Sequence, residues 1–466
     1  MSALETHVTH VPDASRARAP LSLQQEFLRL FDRGEGVGAF GPRYHHVDGW
    51  HVRGRIDVGT LQAALDDVVA RHEALRTSLV RDEDGWYQGI LPPGPSSLLV
   101  RDLPEAAGDD RDRRVQELLN EVEAGTFDPR RQPLLRAILV RFGDRDALLM
   151  LNAHHLAIDS WSMQLILRDL AARYAARRGH AVPALPRARQ YREYAADQLA
   201  GSADAAVLAA REYWREKLRG ARLLAMPTDL PRSAGSWETT SWHRVSTGED
   251  LRAATARFAA ATRSSPFMVL LAAYKVLLHE MTGTTDIVVP TFTPGRNEAR
   301  FQDTVGSFFN FVPLRTDLAG CRTFRDVVGR VRATCVEAYA NEIPLLHVLA
   351  EAPELMAPAL GDDLAPWVFQ VVQPPLQMDG ELIGDLEYSA IWRRELSQET
   401  GSYVPDGMLW CLHLGPSGGL LANLAFSRGL IREDRVGELA AEFFRTLGAG
   451  ISDPDGPLHR LPARTE

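Results

Sequence analysis

Residues 147–162 read ALLMLNAHHLAIDSWS and decide how the rest of the chain is interpreted. Ala147 to Leu151 form a continuous apolar run, which is the pattern of a strand buried on both faces. Apolar residues after the stretch recur at the three-to-four spacing of one helical face: Met163, Ile166, Leu167, Leu170 and Tyr174. The stretch therefore predicts a buried strand, a short polar loop and a helix.

The loop between strand and helix carries the candidate chemistry. His154, His155 and Asp159 form an HHxxxD pattern there, and Ser160 or Ser162 is predicted to cap the helix. A strand end aims a side chain rigidly, and a helix N-terminus adds positive potential. The pattern therefore fits a general base with an acid that orients it or holds the loop. From spacing alone, a packed structural His pair and a metal site are alternatives.

The composition is that of an ordinary globular protein. Of the 466 residues, 45% are hydrophobic and 24% are charged, which is enough for a large core and more than one lobe. Lys and Arg total 52 against 61 Asp and Glu, and the resulting net charge of −9 argues against nucleic acid as the main partner. No apolar run is long enough to span a membrane, and Met1 to Ala19 lack the apolar core of a signal peptide. We therefore expect a cytoplasmic protein without a membrane partner.

The cysteines do not indicate a structural framework. The three of them, Cys321, Cys335 and Cys411, are odd in number and widely spaced. This spacing predicts neither a disulfide network nor a zinc site, so no metal is expected.

The HHxxxD stretch resembles the HHxxxDG core of nonribosomal peptide synthetase condensation domains, which belong to the chloramphenicol-acetyltransferase-like superfamily. Ser160 stands where that family has Gly, and Trp161 and Ser162 match a common continuation. With that context, the catalytic interpretation is favoured over a packed His pair.

Other stretches carry the same resemblance over about residues 20–455. Residues 71–77 read RHEALRT and are similar to the family motif RHExLRT residue for residue. Residues 306–311 resemble the motif GxFxNT, with Gly306, Phe308 and Asn310 kept and Phe311 in place of Thr.

The resemblance implies an α/β fold with two chloramphenicol-acetyltransferase-like lobes, arranged as a V-shaped pseudo-dimer with a tunnel between them. We expect a flexible tail over residues 1–19, an N-terminal lobe over 20–225 that holds the His motif, and a C-terminal lobe over 226–466. Family members also have a floor and a latch that cross between lobes, expected here around Pro294 to Phe301 and Phe369 to Trp392.

The reaction that the resemblance implies is acyl transfer. An aminoacyl or other acyl group, carried as a thioester on the phosphopantetheine arm of a carrier protein, passes to an amine or hydroxyl nucleophile. His155 is the residue carried over as catalytic, and His154 is expected to be structural. No bound cofactor is expected beyond the pantetheine arm of the substrate carrier.

The remaining site residues are expected to shape the reaction centre. A buried Asp159 needs a cation, and a guanidinium suits a carboxylate best, so Arg71 or Arg76 is ranked first and Arg296 second. Ser160 and Trp161 are placed among the structural residues of the site. The predicted substrate-binding residues are Ser307, Phe308 and Asn310; Asn310 could instead hold a loop.

The sequence shows no carrier signature and no adenylation domain, which leads us to expect a free-standing enzyme. Its acyl-loaded carrier would dock in trans, and its nucleophile could be a small molecule or carrier-bound. The free-standing condensation enzymes of enediyne antibiotic pathways are one such group. Two alternatives are an acyl-CoA-dependent acyltransferase of the same superfamily, although no DFGWG motif is present, and a non-catalytic docking protein, which the intact His pair argues against.

Overall fold

A computed structural model of the protein describes residues 17–32, 38–104, 108–234, 239–372, 376, 378–403, 407–415 and 418–458. The strands in this part of the chain are β1 (Ala17–Ala19), β2 (His45–Arg53), β3 (Thr77–Asp82), β4 (Gly85–Ile90), β5 (Ser97–Asp102), β6 (Leu135–Gly143), β7 (Asp146–His154), β8 (Ala225–Pro227), β9 (Thr240–Ser246), β10 (Asp286–Thr293), β11 (Asn310–Asp317), β12 (Leu364–Val372), β13 (Asp379–Ile383), β14 (Leu386–Ala390), β15 (Met408–His413) and β16 (Leu421–Ser427). The α-helices are α1 (Leu23–Arg29), α2 (Val58–Arg71), α3 (Gly108–Ala124), α4 (Ser160–Arg177), α5 (Tyr191–Ala200), α6 (Ala205–Lys217), α7 (Glu249–Ala261), α8 (Pro266–Thr282), α9 (Phe324–Ala340), α10 (Leu345–Glu351) and α11 (Glu433–Ser452).

The apolar run of the HHxxxD stretch forms β7, as predicted, and the helix that follows is α4. Every residue of β7 after Asp146 is buried, because the strand lies in the middle of its sheet with helices on both faces. The predicted cap was wrong. Asp159 caps α4 by accepting a hydrogen bond from the Ser162 backbone N–H at 2.7 Å, and the hydroxyls of Ser160 and Ser162 do not.

The N-terminal lobe is built on a six-stranded sheet in the order β13-β14-β2-β7-β6-β5. Helices α2 and α4 cover one face with a core that includes Leu65 and Ile166. Helix α3 covers the other face with Val115, Leu118 and Leu119. The sheet therefore holds the His motif at one strand end with both of its faces packed.

The C-terminal lobe is built on a second sheet in the order β11-β10-β12-β15-β16-β9, with β8 paired to β12. Its core is centred on α8, whose residues from Val269 to Leu278 are buried. Two such lobes match the expected α/β architecture, and the two-lobe prediction is confirmed.

Two segments of the C-terminal half pack into the N-terminal lobe. Strand β14 pairs antiparallel with β2, so that β13 and β14 complete the N-terminal sheet. Phe301, Val305 and Phe308 join the N-terminal core. The latch expected around Phe369 to Trp392 includes β13 and β14, and the floor expected around Pro294 to Phe301 begins a loop over residues 294–309, here called the floor loop. Residues 373–375 and 377 of the latch region lie outside the described residues.

The lobe boundary and the tail differ from expectation. Helix α6 places Trp214 in the C-terminal core and β8 pairs with β12, so the junction between lobes falls before Ala205 and not at 225/226. Of the predicted tail 1–19, Ala17–Ala19 forms β1 and pairs with β4 in a small third sheet. Residues 1–16 lie outside the described residues. Within the described ranges, no helix has the length and apolar character needed to cross a membrane.

Candidate active site

His155 follows directly on β7, where the N-terminal sheet ends. Its backbone N–H donates to the Tyr44 carbonyl at 3.0 Å, and its Nδ1 lies 3.3 Å from the Ile158 carbonyl. A carbonyl can only accept, so Nδ1 carries the proton in the neutral ring and Nε2 carries the lone pair. Nε2 has no hydrogen-bond partner among the described residues. The ring is therefore fixed in the tautomer that can accept a proton at Nε2.

Aromatic rings surround His155 at the junction of the two halves. The Tyr44 ring lies 4.8 Å from the His155 ring with a 31° tilt, and the His46 ring lies 5.6 Å away. Tyr403, from the C-terminal half, packs edge-on against Tyr44 at 6.4 Å. Burial, followed by the neighbouring His46 charge, lowers the pKa of His155 to about 3. His155 is thus a neutral imidazole at physiological pH.

The His154 ring is hydrogen-bonded to backbone through both of its nitrogens. It is fully buried, its Nε2 donates to the Gly41 carbonyl at 2.9 Å, and its Nδ1 accepts from the Leu156 N–H at 3.2 Å. Burial lowers its pKa to about 4, which keeps it neutral. Both ring nitrogens hold the backbone on either side of the motif, so none is left for a substrate.

Asp159 holds the loop and does not contact His155. Besides capping α4, its carboxylate accepts from Arg296 Nη2 at 3.0 and 3.2 Å and from the Phe308 N–H at 3.3 Å. The Arg296 side chain is 1% exposed and that of Asp159 is 9% exposed, so the ion pair is almost fully shielded from solvent. The predicted guanidinium partner therefore exists, and it comes from the floor loop.

The first-ranked partners, Arg71 and Arg76, were wrong. Arg71 Nε donates to Asp169 at 2.7 Å, and that carboxylate also binds His72 and Arg168. Arg76 donates to the Leu91 carbonyl. Arg71 ends α2 opposite the middle of α4, and Arg76 lies beyond α2, so neither pairs with Asp159 at the start of α4.

Arg296 is anchored at several points in addition to Asp159. Its Nη1 donates to the carbonyls of Phe301 and Thr304 at 2.9 and 2.7 Å. The guanidinium lies 4.0 Å from the ring centre of Phe308 and 5.5 Å from that of Trp161. Trp161 Nε1 also donates to the Gln302 carbonyl at 3.0 Å. The floor loop is thereby clamped to the start of α4.

The three predicted substrate-binding residues lie close to this clamp. Ser307 is buried and its hydroxyl has no partner among the described residues. Phe308 is buried among Tyr191, Tyr194 and Phe301. Phe308 therefore lies among aromatic rings and packs against the guanidinium of Arg296.

Asn310 is engaged by the loop before α10. Its Nδ2 donates to the Ile343 carbonyl at 2.9 Å and to Glu342 at 3.2 Å, while its Oδ1 accepts from the Leu345 N–H at 3.0 Å. These contacts favour the alternative in which Asn310 holds a loop.

Ser160 begins α4 and is exposed. Its φ is not positive, since Arg263 is the only described non-glycine residue with a positive φ. The site therefore does not need the conformational freedom of the glycine found in the family.

The residues around the start of β2 that adjoin His155 were not predicted from the sequence. Tyr44 and His46 contact its ring, and Asp48 lies 2.9 Å from His46 Nε2. The signal was present, because residues 44–48 read YHHVD where β2 begins, and alternation along the strand puts His46 and Asp48 on one face. Within the described ranges, no group of three or more potential metal-binding side chains occurs.

A family model described as "Condensation domain" matches residues 39–461. The chain belongs to the condensation domain family. This confirms the resemblance drawn from the motifs, and membership implies an acyl-transfer, or condensation, enzyme of natural-product biosynthesis.

Similar proteins support the assignment over nearly the whole chain. One of the linear gramicidin synthase proteins of Brevibacillus parabrevis is 30% identical over 463 residues, covering 98% of this condensation domain and 9% of that protein. The chain thus spans less than a tenth of the length of that synthase protein.

Solved structures agree with the fold and the family. The crystal structure of SgcC5 from Streptomyces globisporus, in complex with (R)-(-)-1-(2-naphthyl)-1,2-ethanediol and sucrose, is 48% identical with a TM-score of 0.91. It covers 94% of this chain and 100% of that one. The X-domain from teicoplanin biosynthesis is 26% identical with a TM-score of 0.75, covering 98% and 99%.

Proposed function

We propose that this condensation domain transfers an acyl group from a carrier-protein thioester to a hydroxyl or amine, with His155 as the catalytic residue. The observation that carries the proposal is the His155 ring, held by the Ile158 carbonyl with Nε2 open at the junction of the lobes. The family assignment supplies the reaction class.

The chemistry asked of the protein is modest, because a thioester is already activated. The nucleophile's oxygen or nitrogen attacks the acyl carbon, its proton passes to His155 Nε2, and the carbon–sulfur bond breaks. The proton then passes to the departing thiolate. General-base assistance of this kind contributes about 10²- to 10⁴-fold in rate, and positioning of the two substrates contributes further.

The acceptor we propose is a diffusible hydroxyl compound, which gives an ester. Support comes from SgcC5, 48% identical over almost its full length, which was crystallised with a 1,2-diol. An alcohol stays neutral at physiological pH, so its proton must be removed as the bond forms. A neutral His155 with an open Nε2 is suited to that step.

The donor we propose is an acyl-loaded carrier protein that docks in trans. The relatives include peptide synthetases, and the condensation family acts on carrier-bound substrates. Its pantetheine arm would enter the expected tunnel between the lobes and end at His155. We further propose that Asp159, Trp161 and Arg296 shape this site without contacting the substrate.

A competition assay tests the proposal. One acyl group is offered on a carrier protein, on coenzyme A and on a short pantetheine mimic. The acceptor is 1-(2-naphthyl)-1,2-ethanediol or a matched amine, and products are read by mass spectrometry. We expect product from the carrier with the diol, and a loss of about 10²- to 10⁴-fold in His155→Ala.

Other outcomes would decide among the alternatives. Equal use of coenzyme A favours the acyl-CoA-dependent acyltransferase. Full activity in His155→Ala excludes the mechanism, and no turnover by a folded wild type with any donor favours a docking protein. The control variant is His51→Gln, a half-buried histidine near the far end of β2.

A further inference from the structure

The carboxylate of the HHxxxD motif is not available to His155. Asp159 is occupied by Arg296, by the start of α4 and by the Phe308 N–H. The only side-chain hydrogen bond of His155 within the described part of the chain goes to a backbone carbonyl. Any ionisable side chain that acts on His155 must therefore come from elsewhere.

Tyr44 and His46 both lie against His155, and burial raises the pKa of the Tyr44 phenol. His46 is therefore the one of these two neighbours that can carry a charge near neutral pH. The His46 and His155 rings are 5.6 Å apart between centroids, and His46 has 28% of its side chain exposed. Its Nε2 lies 2.9 Å from Asp48 Oδ1, while Nδ1 has no partner among the described residues. A carboxylate can only accept when ionised, so Nε2 carries a proton and points to Asp48.

The register of β2 against β7 fixes the order of these groups. His46 pairs with Ala153 and Asp48 pairs with Leu151, so Asp48 lies deeper along the sheet than His46 does. The His155 N–H donates to the carbonyl of Tyr44, the residue just before β2 begins. The three side chains therefore run Asp48, His46, His155 toward the strand ends.

Charge within this row favours a proton on His46 over one on His155. Burial opposes the His46 charge, but Asp48 outweighs it and raises the pKa of His46. Farther groups act in both directions, since Glu123 favours that charge and Arg394 opposes it. Across the lobe junction, His413 is also within electrostatic range of His46.

We propose that His46, held by Asp48, is a positioning residue that keeps His155 in its unprotonated form. The inference rests on the proposed role of His155 as proton acceptor. Two adjacent imidazolium rings repel each other, so His155 stays open to the acceptor's proton. Once His155 has taken that proton, the same repulsion favours its release to the thiolate sulfur.

Histidine NMR on the full chain labelled with ¹⁵N-histidine tests the proposal without any substrate. Signals of His46 and His155 are identified by their loss in His46→Gln and His155→Gln. In the wild type we expect His155 as the Nδ1–H tautomer at neutral pH. In His46→Gln its titration midpoint should move upward by about one pH unit. In Asp48→Asn the midpoint of His46 itself should fall.

His51→Gln is the matched control, because His51 lies on the same strand away from His155 and should leave both midpoints unchanged. An unchanged His155 midpoint in a folded His46→Gln protein overturns the proposal, as does an equal shift in His51→Gln. The acid limb of kcat/KM, measured with the carrier-bound acyl donor and the diol, should move with the NMR midpoint. A failure of the proposed function would appear separately, as turnover by His155→Ala.

Discussion

Asp159 and Arg296 form a buried ion pair that joins the first turn of α4 in the N-terminal lobe to the floor loop of the C-terminal half. The pair is also hydrogen-bonded to backbone on both sides, through the Phe308 N–H and the carbonyls of Phe301 and Thr304. The motif acid, predicted from the sequence to pair with an arginine, thus joins the two lobes.

Removing the guanidinium should destabilise the protein. Arg296→Ala leaves the Asp159 carboxylate buried without its cation, a change that costs about 3–5 kcal/mol. We expect a lower unfolding temperature by differential scanning calorimetry, together with lower activity. Arg325→Ala, which removes an exposed partner of Asp455, is the control and should leave the unfolding temperature unchanged. A stable but inactive Arg296→Ala would contradict the structural role.

The error over the partner of Asp159 has a physical explanation. Arg71 and Arg76 were ranked first because they belong to the motif RHEALRT. The sequence does not show which turn of α4 these two arginines face. In the structure α2 lies along α4, and Arg71 reaches Asp169, about three turns beyond Asp159. Strand β7 and helix α4, by contrast, were predictable because their burial follows local periodicity.

Ser160→Gly should be well tolerated. Ser160 is exposed, its φ is not positive, and the cap of α4 is supplied by Asp159. Restoring the family's glycine adds backbone freedom to the unfolded chain, which costs below about 1 kcal/mol. We expect most of the activity to remain in the diol assay. A large loss of kcat with normal folding would mean that the hydroxyl contacts substrate.

Lys275 should make stability rise with pH above neutrality. It is fully buried in α8 and donates to the carbonyls of Ile287 and Leu314 at 3.0 and 2.7 Å. Burial lowers its pKa from 10.5 to about 7. Between pH 7 and 10 the unfolded chain therefore binds more protons than the folded one, and the free energy of unfolding increases with pH.

Denaturant unfolding of wild type and Lys275→Met between pH 7 and 10 measures this contribution. The wild type should gain stability relative to the variant, with a slope of at most about 1.4 kcal/mol per pH unit. Lys217→Met, at the other lysine of the chain, is the control and should run parallel to the wild type. Parallel curves for Lys275→Met would show that Lys275 does not change its protonation on unfolding in this range.

Glu123 should make the junction of the lobes sensitive to acid. It is buried at the end of α3 and accepts from Arg244 at 3.1 Å, Arg394 at 2.5 Å and Gln398 at 2.8 Å, all from the C-terminal half. Burial opposes its charge, but Arg394 and Arg244 together lower its pKa from 4.5 to about 2. This contribution is present above pH 4.5 and is lost as the pH falls toward 2.

Thermal unfolding at pH 5 and pH 3 tests the role of Glu123. Glu123→Gln should be less stable than wild type at pH 5, and the difference should shrink at pH 3. Glu117→Gln is the control on the same helix, since Glu117 pairs only with exposed arginines of α3. An equal difference in unfolding temperature between Glu123→Gln and wild type at both pH values would mean that the arginines do not lower the pKa of Glu123.

The cluster around Glu123 was not predicted, although the sequence contains a hint of it. Val115, Leu118, Leu119 and Val122 mark the buried face of α3, and Glu123 follows Val115 by eight residues on that same face. An acid inside an apolar stripe needs a cation. The two arginines that pair with Glu123 lie more than a hundred residues away in the sequence, and no local pattern can indicate them.

The completion of the N-terminal sheet by β13 and β14 has a consequence for splitting the protein into two fragments. A fragment ending near residue 204 would keep β2, β7, β6 and β5 but would expose the whole edge of β2, which favours aggregation. The missing strands would remain on the second fragment, where Leu386 and Tyr388 would lose the core that buries them. The halves should therefore be recoverable only when co-expressed, as mutually complementing pieces of a split protein.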